Sequence, residues 1–121
     1  MGLLIWPGVV LIGGAGSVLR FLVDSMISAR AGTRFPLGTL VINLSGAVIL
    51  GLLSGLVLSP GAALLGGTAA VGSYTTFSTW MFETERLAEE RERYRAAANL
   101  IVSLVLGVAA AALGRLIGGH L

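Results

Sequence analysis

The densest run of polar and aromatic side chains lies at residues 73–87, in the sequence SYTTFSTWMFETERL, within a chain otherwise rich in Leu, Val, Ala and Gly. Its first part is poor helix material, because Gly, Ser, Thr and aromatic residues rank below Ala and hydroxyl groups compete for backbone hydrogen bonds. The composition therefore predicts an interrupted helix. At membrane depth, an interruption is tolerated only where its carbonyls and amides are buried in protein or line a cavity or ion site.

Phe77, Trp80 and Glu83 follow one another at a spacing of three in this run, which places them along one helical face. An aromatic ring has a negative face and a positive edge. Ring edges that point into a dry passage can stabilise a small anion, whereas carbonyls at a helix break suit a cation. Packing alone is the usual role of aromatic residues at this spacing, and it remains an alternative here.

Two further polar features lie in apolar surroundings. Asn43 is isolated in GTLVINLSGAVILG, where an amide either links helices or lines a path and donates hydrogen bonds to a solute. The sequence leaves both roles open. Arg20 and Asp24 stand four apart, the spacing of an ion pair on a helix, and they predict a structural pair near one membrane face.

Lipid rather than water is the expected solvent for this chain. It has 121 residues, of which 55% are hydrophobic and 12% charged, about half of the ~25% charged residues usual in soluble domains. So short a chain cannot bury this much apolar surface in one water-soluble core. The first apolar run has no basic segment before it, so we expect a retained membrane helix and not a signal peptide.

Several other classes of protein fit the composition poorly. Without cysteine, the chain forms neither disulfides nor thiolate metal sites. No arginine run is interleaved with exposed aromatics, so nucleic-acid binding is not expected. The single histidine is His120 near the C-terminal end, and the carboxylates lie mainly beside arginines. We therefore expect neither an enzyme nor an organic cofactor.

Four apolar segments each approach the ~20 residues that a helix needs to cross a bilayer. They span about 3–28, 37–58, 61–92 and 96–117, and the third carries the expected break near 72–76 and a charged extension. Short connections make successive helices antiparallel neighbours. The sequence predicts an all-α integral membrane protein, with one membrane domain over residues 1–121 and four transmembrane helices.

Arginine is distributed unequally between the two ends of these helices. One end has Arg115, and the other has the connections after the first and third segments, with Arg30, Arg34, Arg86, Arg91, Arg93 and Arg95. Because Lys and Arg in short loops favour the cytoplasm, we expect both termini outside. Gly51 and Gly55, with Gly46 one turn earlier, let membrane helices pack closely, within the chain or across a subunit boundary.

Over nearly its whole length, the sequence resembles the Fluc/CrcB family of small bacterial fluoride channels. The likeness is carried by GGAGSVLRF (13–21), PLGTLVINLSGAVILGLLSG (36–55), GGTAAVGSYTTFSTWMFE (66–83) and SLVLG (103–107). The resemblance implies passive, selective export of fluoride across the bacterial plasma (inner) membrane by an antiparallel dimer, in which one subunit is inverted. It also implies a third helix broken near its middle and two narrow pores along the dimer.

By the same resemblance, each pore is lined from both subunits by Asn43, Phe77, Ser78, Thr79, Trp80, Glu83 and Ser103, and Arg20 lies at the pore vestibule. A structural sodium ion is implied at the dimer centre, held by the backbone carbonyls of Gly72 and Thr75. The implied partners are fluoride, membrane lipid and the second subunit. Fluoride is small and strongly hydrated, so amide, hydroxyl and ring-edge donors suit it by replacing its water.

Two positions depart from the family's pattern. Trp80 stands where the family has the second Phe of a pair, and Asn99 stands where it has a Tyr. With the unequal arginines, these changes favour one half of a heterodimer, and a dual-topology homodimer is the alternative. A four-helix multidrug-type exporter, with its central Glu in the first helix, fits less well. A purely structural membrane subunit would not need Asn43 or the polar run at 73–79.

Overall fold

The computed structural model describes residues 2–32 and 35–121, and every regular element in these ranges is helical. Helix α1 spans Ile5–Ala31 and α2 spans Leu37–Gly55. Helix α3 covers residues 60–74 in three consecutive pieces, which are α-helical Pro60–Ala63, π-helical Leu64–Val71 and α-helical Gly72–Tyr74. Helix α4 spans Ser78–Glu89 and α5 spans Arg93–Gly119.

Three of these helices, α1, α2 and α5, are long and apolar enough to cross a membrane. Their outer faces carry large apolar side chains such as Val10, which is 72% exposed, and Ile101, which is 58% exposed. The buried apolar core of the described residues is small and consists of Ile42, Ala69, Val71, Leu87 and Ala96. Such an apolar exterior around a small core suits hydrocarbon and not water. The chain is a multi-pass membrane protein.

The helix ends differ by about a turn from those expected from sequence. Helix α2 ends at Gly55, not near residue 58, because Leu56 turns into an extended conformation. The charged extension ends at Glu89, not near residue 92. There Arg91 adopts a positive φ of 62°, and the N–H groups of Arg91 and Glu92 donate to the carbonyls of Ala88 and Leu87. This pattern is a Schellman motif, and it allows α5 to begin at Arg93.

The glycines at helical spacing in α2 pack against α5 of the same chain. A Cβ atom added to Gly51 would lie 2.1 Å from the carbonyl oxygen of Ala111. Reciprocally, a Cβ atom on Gly114 would lie 2.1 Å from the carbonyl oxygen of Val48. Gly114 and Gly118 in α5 have the same spacing as Gly51 and Gly55 in α2. Because these four positions lack side chains, the two helix backbones approach closely.

Contacts between helices show which helix ends lie together at each end of the molecule. At one end, Asp24 of α1 packs on Gly38 at the beginning of α2, and the Thr39 hydroxyl donates to the Glu83 carboxylate of α4. At the other end, Gly55 of α2 lies against the Arg115 carbonyl of α5. Arg30 and residues 86–95 therefore belong to the first end and Arg115 to the second. Arg34 lies outside the described residues.

Candidate functional site

Helices α3 and α4 are separated by three residues, Thr75–Phe77. Thr75 leaves the helix in an extended conformation with φ −77° and ψ 161°, while its N–H and its hydroxyl both donate to the Val71 carbonyl at 2.9 and 3.0 Å. The Thr76 hydroxyl accepts a hydrogen bond from the N–H of Thr79 at 3.2 Å. Hydroxyl side chains thus complete both helix ends at the break.

The side chain of Asn43 holds the centre of this break. Its Nδ2 donates to the carbonyl oxygen of Thr76 at 2.9 Å, and its Oδ1 accepts from the N–H of Thr76, also at 2.9 Å. One amide therefore replaces both backbone hydrogen bonds that the interrupted helix cannot supply at Thr76. Of the two roles left open for Asn43, the linking role is present in the structure, and its side chain also faces a groove.

Gly46, one turn after Asn43, provides the space in which the break approaches α2. A Cβ atom at this position would lie only 2.2 Å from the Cγ2 methyl group of Thr75. Real Cβ atoms do not make contacts this short, because van der Waals repulsion prevents them. Gly46 and Asn43 together define where the interrupted segment meets the helix beside it.

A groove of about 390 Å³ lies against the break. Four of the residues expected to line a pore face it, namely Asn43, Phe77, Trp80 and Ser103, and Thr75 and Thr76 face it as well. The Phe77 and Trp80 rings meet edge to face, with centroids 5.8 Å apart and planes at 86°. Phe77 is 70% exposed, so much of its ring is free to contact a solute or another chain.

Trp80 is fixed through Asn99, a pairing that sequence reasoning missed. The Trp80 indole N–H donates to the Asn99 carbonyl oxygen at 2.9 Å, and the Asn99 amide donates to the Thr84 hydroxyl at 2.8 Å. Trp80 and Asn99 are the two positions at which the sequence departs from the family pattern. The two residues are 19 positions apart in the sequence, and this separation does not indicate a contact. They meet only because the turn at residues 90–92 brings α5 back beside α4.

A second cavity, of about 200 Å³, is lined by Arg20, Asp24, Thr39, Thr76 and Thr79, among others. Glu83 lies beside it and accepts a hydrogen bond from the Thr39 hydroxyl. Ser78 is exposed and lines neither the groove nor this cavity. The residues expected to share one path are therefore divided between two concave surfaces of the chain, and Thr76 lies at both.

The prediction of an ion pair between Arg20 and Asp24 is wrong. Within the described residues, no ion pair joins these two side chains. The Asp24 carboxylate packs instead against the backbone of α2 at Gly38 and lies 3.5 Å from the Ser28 hydroxyl. Arg20 and Asp24 both line the second cavity without pairing with each other.

Four consecutive backbone carbonyls at the break, those of Gly72, Ser73, Tyr74 and Thr75, have no hydrogen-bond donor among residues 2–32 and 35–121. Gly72 and Thr75, the two residues expected to hold a cation, are the first and the last of the four. The N–H of Thr76, which would reach the Gly72 carbonyl in a continuous helix, donates to Asn43 instead. Unpaired carbonyl oxygens are the hard ligands that alkali and alkaline-earth cations prefer. The carbonyl oxygens of Gly72 and Thr75 are therefore chemically suited to bind a sodium ion.

With this geometry established, comparison with known proteins assigns the family. The model of the CrcB-like proteins, described as camphor resistance (CrcB), matches residues 8–115. The chain belongs to the CrcB family. The match covers all of the polar features described above, from Arg20 in α1 to Ser103 in α5.

Several similar proteins are named fluoride-specific ion channels. The fluoride-specific ion channel FluC 2 of Mycolicibacterium paratuberculosis is 65% identical over 111 residues, which cover 92% of this chain and 91% of the relative. The FluC 2 of Mycobacterium tuberculosis is 60% identical over 111 residues, with coverage of 92% and 88%. The fluoride-specific ion channel FluC 1 of Leifsonia xyli subsp. xyli is 44% identical over 117 residues, with coverage of 92% and 84%.

Proposed function

We propose that this CrcB-family chain is one subunit of a passive, fluoride-selective channel in the bacterial plasma membrane, and that it catalyses no reaction. The observation that carries the proposal is the groove beside the break, where an amide, two aromatic rings and hydroxyl groups converge in apolar surroundings. This donor set is suited to a small anion. The names of the relatives agree with it.

Fluoride must exchange its hydration shell for protein donors before it can pass through a narrow, dry path. Asn43 uses one amide hydrogen on Thr76 and has no described partner for the second. That hydrogen, the hydroxyl of Ser103 and the positive edges of the aromatic rings would replace water around the ion. Phe77 would contribute most, because its ring is the more exposed of the two.

The channel would be a dimer of four-crossing subunits, one inverted relative to the other. Helices α3 and α4 together would make the fourth crossing, with the break near its centre. The division of the polar residues between a groove and a separate cavity supports a pore that is completed by a second subunit. Arg20, in the cavity, would attract the anion at the vestibule, with Thr79 and Glu83 further along the path and Ser78 facing the second subunit.

A structural sodium ion would be held at the dimer centre by the carbonyls of Gly72 and Thr75. The ion would supply a fixed positive charge in a region of low dielectric constant. The residues of this chain would do the rest. Asn43 holds the N–H of Thr76, which leaves the Gly72 carbonyl free to face a cation, and the Thr76 hydroxyl takes the N–H of Thr79, which leaves the Thr75 carbonyl free.

The dimer is proposed to be a pair of two different chains of this family. Relatives numbered FluC 1 and FluC 2 occur among the similar proteins, which supports the existence of paralogues in this family. The concentration of arginine at one end of the chain favours a single insertion direction. A homodimer in which the same chain inserts both ways is the alternative.

Fluoride efflux from proteoliposomes tests the proposal, with chloride efflux as the control. We expect fluoride flux without chloride flux when the chain is reconstituted with a second chain of the family that inserts in the opposite direction. Flux from the chain alone would support the homodimer. If neither preparation conducts fluoride, the proposed function is wrong.

A further inference from the structure

Residues 80 and 99 are joined by hydrogen bonds in both directions across the contact between α4 and α5. The Trp80 indole N–H donates to the main-chain carbonyl of Asn99 at 2.9 Å. In return, the Asn99 amide donates to the main-chain carbonyl of Trp80 at 3.4 Å and to the Thr84 hydroxyl at 2.8 Å. The Thr84 hydroxyl closes the network by donating to the Trp80 carbonyl at 2.9 Å.

Asn99 is the most deeply buried polar residue of this network, with 1% of its surface exposed. It faces neither the groove nor the second cavity. Its Oδ1 is buried and has no hydrogen-bond partner in the described part of the chain, which is unfavourable. An apolar side chain of the same shape would avoid that cost, so what the amide adds is the pair of N–H donors that hold α4 at the level of Trp80.

The orientation of the indole ring follows from its own bond to the main-chain carbonyl of Asn99, and the side-chain bonds keep α4 close enough to α5 for that bond to form. With its N–H used on the Asn99 carbonyl, the ring offers only carbon atoms to the groove, and it stands perpendicular to Phe77 at a centroid distance of 5.8 Å. An indole without this restraint can turn and present its N–H to the groove. The groove would then gain a hydrogen-bond donor and change in width.

We propose that Asn99 is a positioning residue. Its side-chain amide holds α4 against α5, so that the Trp80 indole N–H stays on the main-chain carbonyl of residue 99 and away from the groove, and this sets the anion selectivity of the path. The inference rests on the proposed function, since it assigns selectivity to that groove. It concerns a residue that does not touch the ion. The role of Asn99 is therefore measured first on the indole itself and only then on flux.

The indole N–H of Trp80 can be observed directly, because the chain contains two tryptophans and Trp6→Phe removes the other signal. In that background, the full chain in lipid nanodiscs gives one nitrogen-15 indole resonance, whose position and hydrogen-exchange rate report its hydrogen bond. Asn99→Leu keeps the shape and the main-chain carbonyl that accepts from the indole, and it removes the side-chain donors that hold α4 beside that carbonyl. We expect the indole hydrogen bond to weaken, so that the resonance moves upfield and exchange becomes severalfold faster, with about tenfold as the limit if the bond is lost altogether.

Two further variants complete the comparison. Thr84→Val keeps the shape of Thr84 and removes one acceptor of the Asn99 amide, so a smaller change of the same sign is expected. It also carries the test if Asn99→Leu does not fold. Ile101→Leu, on an exposed part of α5, is the matched control and leaves the indole signal unchanged. In flux assays of the conducting assembly, we expect Asn99→Leu to lower the ratio of fluoride to chloride flux, whereas Ile101→Leu leaves it unchanged.

The outcomes separate this inference from the proposed function. An indole signal unchanged in both Asn99→Leu and Thr84→Val overturns the positioning role. So does a signal that changes while the selectivity of a conducting channel stays the same. If the unmodified protein conducts no fluoride in any pairing, the proposed function fails, and the indole comparison still decides whether Asn99 orients Trp80.

Discussion

At the scale of single residues, the break between α3 and α4 depends on one amide group. Asn43 satisfies both the N–H and the C=O of Thr76, which no helix reaches. Within a membrane, water does not compete for these groups, so leaving them unpaired is costly. The polar residues 73–79 interrupt the helix, and Asn43 of the neighbouring helix α2 stabilises the interruption.

Asn43→Leu keeps the side-chain shape and removes both hydrogen bonds to Thr76. We expect it to lower the free energy of unfolding by about 2 kcal/mol, because two half-buried backbone groups lose their partner. Unfolding by SDS in mixed micelles measures the change. Ser45→Ala is the control, since it removes one hydrogen bond between elements, of 2.9 Å to Tyr74, and a local one to the Ile42 carbonyl, which already serves its own helix, and it should cost about 1 kcal/mol. If the Asn43 variant is as stable as the Ser45 variant, the hydrogen bonds from Asn43 to Thr76 do not stabilise the break as described.

Sequence reasoning reached these polar residues but not their partners. An isolated Asn43 among apolar residues is conspicuous because an unpaired amide is expensive in lipid. Its partner Thr76 lies 33 positions away, and local sequence holds no information on that distance. Thr39 and Thr84, which hydrogen-bond Glu83 and Asn99, escaped notice for the same reason. A hydroxyl residue in a membrane helix is common and is not by itself a signal.

At the scale of elements, the helix break and α2 fit together through one missing methyl group. A Cβ atom on Gly46 would lie 2.2 Å from the Cγ2 methyl of Thr75, whereas its next contact, with Tyr74, would be an ordinary 3.5 Å. Gly46→Ala therefore creates one severe overlap. We expect it to destabilise the protein by about 1–3 kcal/mol, the usual cost of overpacking, in the same SDS titration.

The overlap also predicts its own rescue. Thr75→Ser removes the Cγ2 methyl and retains the hydroxyl that donates to the Val71 carbonyl. The double variant Gly46→Ala with Thr75→Ser should recover most of the lost stability, while Thr75→Ser alone has a small effect. If the double variant is as unstable as the sum of the two single variants, the two residues are not in contact as described.

The contact between α2 and α5 is limited by the backbone and not by side chains. A Cβ on Gly114 would meet the Val48 carbonyl at 2.1 Å, and a backbone atom cannot move aside without shifting a helix. We expect Gly114→Ala to destabilise the protein by about 1–3 kcal/mol. Gly14→Ala in α1 is the control, because a Cβ there meets nothing within 4 Å and alanine favours helix. Equal stability of the two variants would contradict the close α2–α5 packing.

The helices themselves were largely predictable, and their fine structure was not. Apolar runs and short connections gave the positions of α1, α2 and α5 to within about a turn. The π-helical stretch Leu64–Val71 has no recognisable sequence pattern, because it follows from how α3 packs on its neighbours. The turn at Arg91 was also missed, since a positive φ is uncommon for a residue other than glycine.

At the scale of the whole molecule, we expect the arginines and the apolar exterior together to set how the chain lies in a bilayer. The structure brings Arg30 and the arginines of residues 86–95 to one end, through the contacts of Asp24 with Gly38 and of Thr39 with Glu83. Arg115 is at the other end. The charge asymmetry is therefore a property of the folded chain and not only of its loops, and it favours one orientation.

Reporter fusions at the C-terminus test this orientation. We expect alkaline phosphatase, which is active outside the cytoplasm, to be active there and a cytoplasmic reporter to be inactive. Arg91→Asn combined with Arg93→Gln weakens the bias at two exposed positions, and asparagine tolerates the positive φ at residue 91. This variant should raise the activity of the cytoplasmic reporter, whereas Arg115→Gln should not. Comparable activity of both reporters on the unmodified chain would mean that it inserts both ways, and the pair of different chains would then give way to a homodimer.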